Sequence, residues 1–175
     1  MKRADLEHIL RAAGTLARVR KLVILGSQAI LGKYPDAPAE LLLSQDLDTY
    51  PLDDPEKADL IDGSIGEMSP FHAEFGYFAH GVGPETAILP HNWKKRLVKV
   101  QNRNTGGVTG LCLDPVDLAV SKLVAGRAKD IRFVSSMLRH KLASRDAILK
   151  RAGELPKSRI AAARSALERC CSGRS

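Results

Sequence analysis

KLVILGSQAILGKYPDAPAELLLSQDLDTYP, residues Lys21 to Pro51, is the stretch that decides the fold. Its apolar start predicts a short buried strand that ends at Gly26, and residues 27–32 return to a helical pattern. After a loop with two prolines, the alternation in QDLDTYP predicts a second strand that Pro51 ends. This order of strand, Gly-Ser turn, helix and strand is typical of an α/β sheet.

The segments that flank this stretch add helices and further strands. Residues 5–18 have helical spacing, with Asp5 as the predicted N-cap. Short strands are predicted within YFAHGV, TAIL, WKKRLVKVQN and GLCL, as an antiparallel addition to the sheet. Asp114 is predicted to cap a helix, and helical patterns continue from there to the end of the chain.

These patterns predict an α/β (α+β) fold, in which helices pack on a mixed sheet and the C-terminal portion is helical. Residues 1–113 would form the α/β core with its N-terminal helix. Residues 114–175 would form the helical portion, either as a second domain or as part of the same one. The length of 175 residues suits one domain with a small helical addition.

The composition excludes several classes of protein. Hydrophobic residues at 44% and charged residues at 27% are ordinary globular usage, and no apolar run is long enough to span a membrane. The charged N-terminus lacks the apolar middle of a signal peptide, which predicts a cytoplasmic location. Three cysteines form neither a disulfide framework nor a zinc pattern, so Cys112 is interpreted as a core residue and Cys170 and Cys171 as a tail feature.

The net charge of +7 is concentrated in the C-terminal half of the chain. Such asymmetry favours a polyanionic partner, such as nucleic acid or a nucleotide. Basic residues along amphipathic helices also form merely solvated faces, and both interpretations stay open. Asp117 and Asp130 are likewise interpreted, from the residues alone, as ordinary helix-surface charges, and Lys122 as a side chain that extends outward from its helix.

The strongest chemical signal is the pair Asp46 and Asp48. Alternation along a strand directs both carboxylates to one face, where they resist ionising together unless a cation is present. Mg²⁺ prefers oxygen ligands and commonly binds through one or two carboxylates plus substrate phosphates. The Gly26-Ser27 turn adds close backbone approach, free amides and a hydroxyl, all suited to phosphate oxygens. Together these residues predict a site for a nucleoside triphosphate with Mg²⁺.

GSQAIL followed by SQDLD resembles the signature of the DNA polymerase β-like nucleotidyltransferase superfamily. The later DPVDLAVSKLVAGRAKDIRFV looks like the helical motif of bacterial abortive-infection type nucleotidyltransferases, which include toxins of toxin–antitoxin pairs. In that motif the matching positions are Lys122-Leu123 and Lys129-Asp130. Together with GVGPETAILP, the first block also looks like a related, uncharacterised bacterial branch of the superfamily. The resemblance covers about residues 22–134.

The resemblance implies transfer of a nucleoside monophosphate from a nucleoside triphosphate to an acceptor, with release of pyrophosphate. Gly26 and Ser27 would contact the phosphates, and Asp46 and Asp48 would bind Mg²⁺. Lys122 would neutralise charge on the triphosphate. Asp130 would orient Lys122 or the acceptor. The implied partners are tRNA or another RNA, a protein acceptor, and an antitoxin if the role is that of a toxin.

The sequence departs from the superfamily pattern at the third acidic ligand. In the predicted strand YFAHGV, His80 stands where an acidic residue is usual, and Glu85 lies in a predicted turn nearby. Three alternatives stay open for the metal site: His80 completes it, Glu85 completes it, or neither does. The alternative function is a catalytically inactive module of the same fold that binds nucleotide or a partner.

Overall fold

A computed structural model of the chain describes residues 1–172, with side chains through Cys170. It confirms the predicted mixed α/β fold. The strands are β1 Lys21–Ile24, β2 Asp46–Pro51, β3 Phe78–Gly81, β4 Val98–Val100 and β5 Thr109–Cys112. The α-helices are α1 Arg3–Ala17, α2 Ala58–Ile65, α3 Pro70–Phe75, α4 Pro115–Ala125, α5 Ala128–Arg139, α6 Arg145–Ala152 and α7 Lys157–Ser172.

The chain divides into two compact units. The first contains residues 1–86 and 97–113, and therefore the whole sheet with α1 to α3. The second contains residues 87–96 and the chain from Asp114 onward, with α4 to α7. In the described part of the chain, no helix combines the length and the apolar character needed to cross a membrane.

The five strands form one sheet in the order β3-β2-β1-β5-β4. β1 lies at the centre, antiparallel to β2 and parallel to β5, and its residues Leu22, Val23 and Ile24 are fully buried. β4 pairs antiparallel with β5, as predicted, whereas β3 pairs parallel with β2. Cys112 is a core residue, as predicted, and burial raises the pKa of its thiol to about 12.

Two local predictions are corrected by the structure, and a third is made more specific. Lys2, not Asp5, is the N-cap of α1, and the Asp5 carboxylate instead accepts a 2.6 Å hydrogen bond from the Lys2 amide. The predicted helix over Ser27–Gly32 is a 3₁₀ helix. The TAIL segment, residues 86–89, forms no strand, because a short half-buried apolar run does not by itself distinguish a strand from an irregular segment.

Glu7 is a buried carboxylate that ties α1 to the turn before β5. It accepts hydrogen bonds from the side chains of Asn102 at 2.8 Å, Asn104 at 2.9 Å and Arg3 at 3.0 Å. Burial alone raises the pKa of Glu7, but these hydrogen bonds together outweigh it, so the pKa lies below its ordinary value of 4.5. The ionised form of Glu7 therefore stabilises the fold.

Glu7 makes the stability of the protein dependent on pH in the acid range. Because its pKa is lower in the folded chain, its stabilising contribution is present above pH 4.5 and is lost as the pH falls through the folded value. We expect the difference in unfolding free energy between wild type and Glu7→Gln to shrink below pH 4.5, measured by urea denaturation across pH. Glu56→Gln, at an exposed position, is the control, and a difference independent of pH would contradict the assignment.

The second unit has its own apolar core, to which all four helices α4 to α7 contribute. Its fully buried residues include Leu118, Val134, Met137, Ile148 and Ala163. Asp114 caps α4 as predicted, accepting a 2.9 Å hydrogen bond from the Val116 amide. Cys170 is buried, so the prediction that it belongs to a tail is wrong, and the side chain of Cys171 lies outside the described residues.

Asp117 and Asp130 are not the helix-surface charges that the residues alone favour. Both are buried, with 0% and 1% of their area exposed. Asp117 accepts two hydrogen bonds from Arg96 at 2.8 and 2.9 Å and one from Arg151 at 2.6 Å. These arginines neutralise it inside the second unit, which amphipathic spacing does not reveal.

Candidate active site

The acidic pair lies on β2, the strand beside the central strand. Asp46 and Asp48 are partly exposed, whereas the residues between and after them, Leu47 and Thr49, are fully buried. The Thr49 hydroxyl donates to the Val23 carbonyl at 2.8 Å, which holds β2 against β1. The two carboxylates therefore share one face of the sheet, because side chains alternate along a strand.

His80 joins this pair through the parallel register of β2 and β3. Asp48 lies opposite His80 in the sheet, and Nδ1 of His80 is 2.9 Å from Oδ1 of Asp48. One ligand atom from each of Asp46, Asp48 and His80 lies within 4.8 Å of the others. Of the two candidates for the third ligand, both in the described part of the chain, His80 belongs to this three-residue group and Glu85 does not.

The Gly26-Ser27 turn lies against the same carboxylate. A Cβ at Gly26 would be 2.1 Å from Oδ2 of Asp48, so no larger residue fits without displacing that group. The Leu25 amide donates to the Asp48 carbonyl at 3.1 Å, which places the end of β1 beside Asp48. Ser27 is partly exposed and begins the 3₁₀ helix, whose next four residues are buried. The predicted phosphate turn and the predicted metal ligands are thus neighbours.

Ser44 and Gln28 support Asp46 and were not identified from the sequence. The Ser44 hydroxyl donates to Oδ1 of Asp46. Gln28 is fully buried and donates from Nε2 to the Ser44 carbonyl at 3.2 Å. Residues 44, 46 and 48 alternate, a pattern from which the serine contact could have been predicted. The contact of Gln28 with Ser44 depends on the path of the loop between β1 and β2, which no sequence pattern predicted.

Lys122 and Asp130 meet in the second unit. Nζ of Lys122 is 3.5 Å from Oδ1 of Asp130 and 5.4 Å from the centre of the Phe133 ring. Arg127 donates from Nε to the same carboxylate at 2.7 Å. The Lys122 side chain is only 16% exposed, so it does not extend outward from α4. Gly126, with φ of 66°, permits the tight turn that brings α5 against α4.

The donor atoms of the first unit fit a divalent cation. The two carboxylates each offer an anionic oxygen, and the imidazole offers a neutral nitrogen. The carboxylates are close enough to repel each other when no cation neutralises them. Gly26 has no side chain, and the carboxylate of Asp48 lies where its Cβ would stand. The group therefore offers the charge that a cation requires, directly beside the backbone of the Gly26 turn.

A mixed sheet, the Gly26 turn against Asp48, and Asp46 on the same strand are the features on which the resemblance to nucleotidyltransferases rests. Residues 4–161 match the family described as nucleotidyltransferases of unknown function (DUF6036), and the chain belongs to this family. No curated protein and no solved structure matches the chain. Assignment to the polymerase β-like superfamily and to its abortive-infection branch stays a prediction.

Proposed function

We propose that the protein binds a nucleoside triphosphate with Mg²⁺ and transfers the nucleoside monophosphate to a hydroxyl group of an RNA or protein acceptor. The observation that carries this proposal is the contact of the Gly26 turn with the carboxylate of Asp48, in a group that also contains Asp46. Phosphate-binding backbone and cation-binding carboxylates are adjacent, as the reaction requires.

The reaction forms one bond and breaks one bond at the α-phosphorus. The acceptor oxygen attacks that phosphorus, the bond between it and the bridging oxygen to the β-phosphate breaks, and pyrophosphate leaves. The proton of the acceptor hydroxyl passes to solvent. A bound cation supplies charge neutralisation on the phosphates and orients the attacking and leaving oxygens.

The chain's own residues bind and orient in this scheme. Ser27 and the backbone after Gly26 hold phosphate oxygens, while Asp46 and Asp48 would hold the cation. Ser44 restricts the Asp46 carboxylate to one orientation. In the second unit, Nζ of Lys122 is 3.5 Å from Asp130, which supports the pairing of these two residues that the family resemblance implies.

The net charge of +7 supports a polyanionic acceptor, with tRNA or another RNA as the first choice. A protein acceptor is the second choice. If the modification inactivates the acceptor, the role is that of a toxin, and the partner is then an antitoxin.

Labelled nucleotides test the reaction. We expect label from α-³²P nucleoside triphosphates to appear in RNA or protein when the protein is incubated with Mg²⁺ and tRNA or cell lysate. Label from the γ position should leave as pyrophosphate, which distinguishes nucleotidyl transfer from phosphoryl transfer. Transfer of γ label, or of neither, would contradict the proposed reaction.

The second candidate function is a binding module of the same fold without transferase activity. The observation that favours it is His80, which occupies the strand position opposite Asp48 where the superfamily pattern has a carboxylate. Nucleotide binding by calorimetry without transfer of label would support this function.

Gly26→Ala should weaken metal-dependent nucleotide binding while the fold is retained. The new methyl group would displace the carboxylate of Asp48, whose Oδ2 would lie 2.1 Å from it. We expect a loss of about 10- to 100-fold in affinity, the range found when the support of a metal ligand is disturbed. Calorimetric titration with nucleotide and Mg²⁺ measures it.

Gly63→Ala is the matched control, since a Cβ there would meet nothing within 4 Å. Because Gly63 lies inside α2, this change should raise the unfolding free energy by about 0.5–1 kcal/mol and leave binding unchanged. Equal binding by the two variants would contradict the importance of the Gly26 contact.

A further inference from the structure

We propose that His80 is the third metal ligand and that it makes the site select a first-row transition metal, with Mn²⁺ as the probe, over Mg²⁺. This inference rests on the proposed function, because it concerns the cation of that same site. It replaces an all-oxygen set of protein ligands with a mixed set of two carboxylates and one imidazole nitrogen.

The positions of the donor atoms support shared coordination. At metal–ligand distances of about 2.0–2.2 Å, two ligands of one ion lie about 3 to 4.4 Å apart. The three donor atoms of Asp46, Asp48 and His80 already lie within 4.8 Å of one another. This spacing is close to the range for ligands of one ion, so side-chain rotation would have to move the donor atoms only by a short distance.

The backbone around His80 is held in place by its neighbours. His80 is paired in register with Asp48, and the amide of the next residue, Gly81, donates to Asp62 of α2 at 3.1 Å. A Cβ at Gly81 would lie 2.0 Å from the Ala58 carbonyl, so β3 and α2 are in close contact at this point. The imidazole is thus presented to Asp48 by regular structure and not by a loop.

The charge of the site favours a cation at this position over a simple hydrogen-bonded pair. His80 reaches Asp48, but its side chain is 52% exposed, and the Asp46 carboxylate is in the same group. One imidazole, even when protonated, would leave one of the two negative charges uncompensated. A divalent cation compensates both carboxylates and accepts the neutral imidazole as well.

The choice of metal follows from the nitrogen donor. Mg²⁺ prefers oxygen ligands in strict octahedral geometry, whereas imidazole is a good ligand for transition metals. Mn²⁺ accepts carboxylates as readily as Mg²⁺ does. It is also the first member of the series from Mn²⁺ to Cu²⁺, along which the affinity of divalent transition metals for a given site rises. Mn²⁺ is also paramagnetic, which allows its ligands to be identified directly.

The test is electron paramagnetic resonance of Mn²⁺ bound to the full chain, with Mg²⁺ as competitor. In the wild type we expect pulsed spectra to show ¹⁴N coupling from a coordinated imidazole, and Mn²⁺ to bind at least about tenfold more tightly than Mg²⁺. His80→Gln should lose the ¹⁴N coupling and at least about tenfold in Mn²⁺ affinity. His80→Asp should also lose the coupling, and its preference for Mn²⁺ over Mg²⁺ should shrink.

His91→Gln, at an exposed histidine, is the control and should keep both the coupling and the affinity. Two results would overturn this inference and leave the proposed transfer intact. One is Mn²⁺ binding to the wild type without ¹⁴N coupling, and the other is an unchanged preference for Mn²⁺ over Mg²⁺ in His80→Gln. Failure of Mn²⁺ to bind would also overturn it. The proposed function is decided separately, by the transfer of α-³²P label.

Discussion

Asp48→Asn is expected to abolish metal-dependent nucleotide binding, with a loss of at least about 100-fold in affinity. Asp48 contacts both His80 and the Gly26 turn, so its carboxylate joins the cation ligands to the phosphate-binding backbone. An amide has nearly the same shape but lacks the negative charge, and Mg²⁺ binds through charged oxygen ligands. Loss of a direct ligand should exceed the 10- to 100-fold effect typical of a residue that only orients one.

The same substitution should leave the fold intact. It removes one of two close negative charges, and the backbone hydrogen bond from Leu25 to residue 48 does not depend on the side chain. Calorimetric titration with nucleotide, with and without Mg²⁺, measures the binding, and thermal unfolding verifies the fold. Asp53→Asn is the matched control, because Asp53 is 73% exposed and pairs only with the exposed Lys21 in the contacts described. Unchanged binding by Asp48→Asn would show that the site is assigned to the wrong residues.

Asp117→Ala is expected to lower the free energy of unfolding by about 3–5 kcal/mol. Asp117 is fully buried and accepts three hydrogen bonds from Arg96 and Arg151. The hydrogen bonds between Asp117 and Arg96 are also the main reason why the pKa of Arg96 is raised. Removing the carboxylate leaves two mostly buried guanidinium groups with more distant anions: Glu154, at 3.3 and 3.6 Å, and Asp114, at 3.9 Å from Arg151.

Urea denaturation followed by circular dichroism measures this loss. Glu168→Gln is the matched control, because Glu168 and its partner Arg145 are 58% and 46% exposed in their side chains. Exposed ion pairs contribute only about 0–1 kcal/mol, so this change should alter stability little. Similar losses in the two variants would contradict the special role of buried Asp117.

Local patterns in the sequence were sufficient for the core of the fold. The apolar run before Gly26 and the alternation around Asp46 and Asp48 predicted β1 and β2 correctly, because burial of one face imposes a period of two on a strand. Asp114 followed by proline predicted the start of α4 for a similarly local reason, namely that a helix N-terminus needs a side-chain acceptor. Where a short run carried no periodicity, as at residues 86–89, the prediction was wrong.

The tertiary structure decided which distant residues become neighbours. No sequence pattern states that β3 pairs parallel with β2, yet this register alone brings His80 to Asp48. The same applies to Asp117, whose burial depends on arginines from residues 96 and 151 that only the folded second unit brings together. The sequence by itself therefore determined the elements and the acidic pair, since these depend on local burial and hydrogen bonding. Strand order and the pairing of charges depend on contacts between residues far apart in the chain, and only the folded structure specifies them.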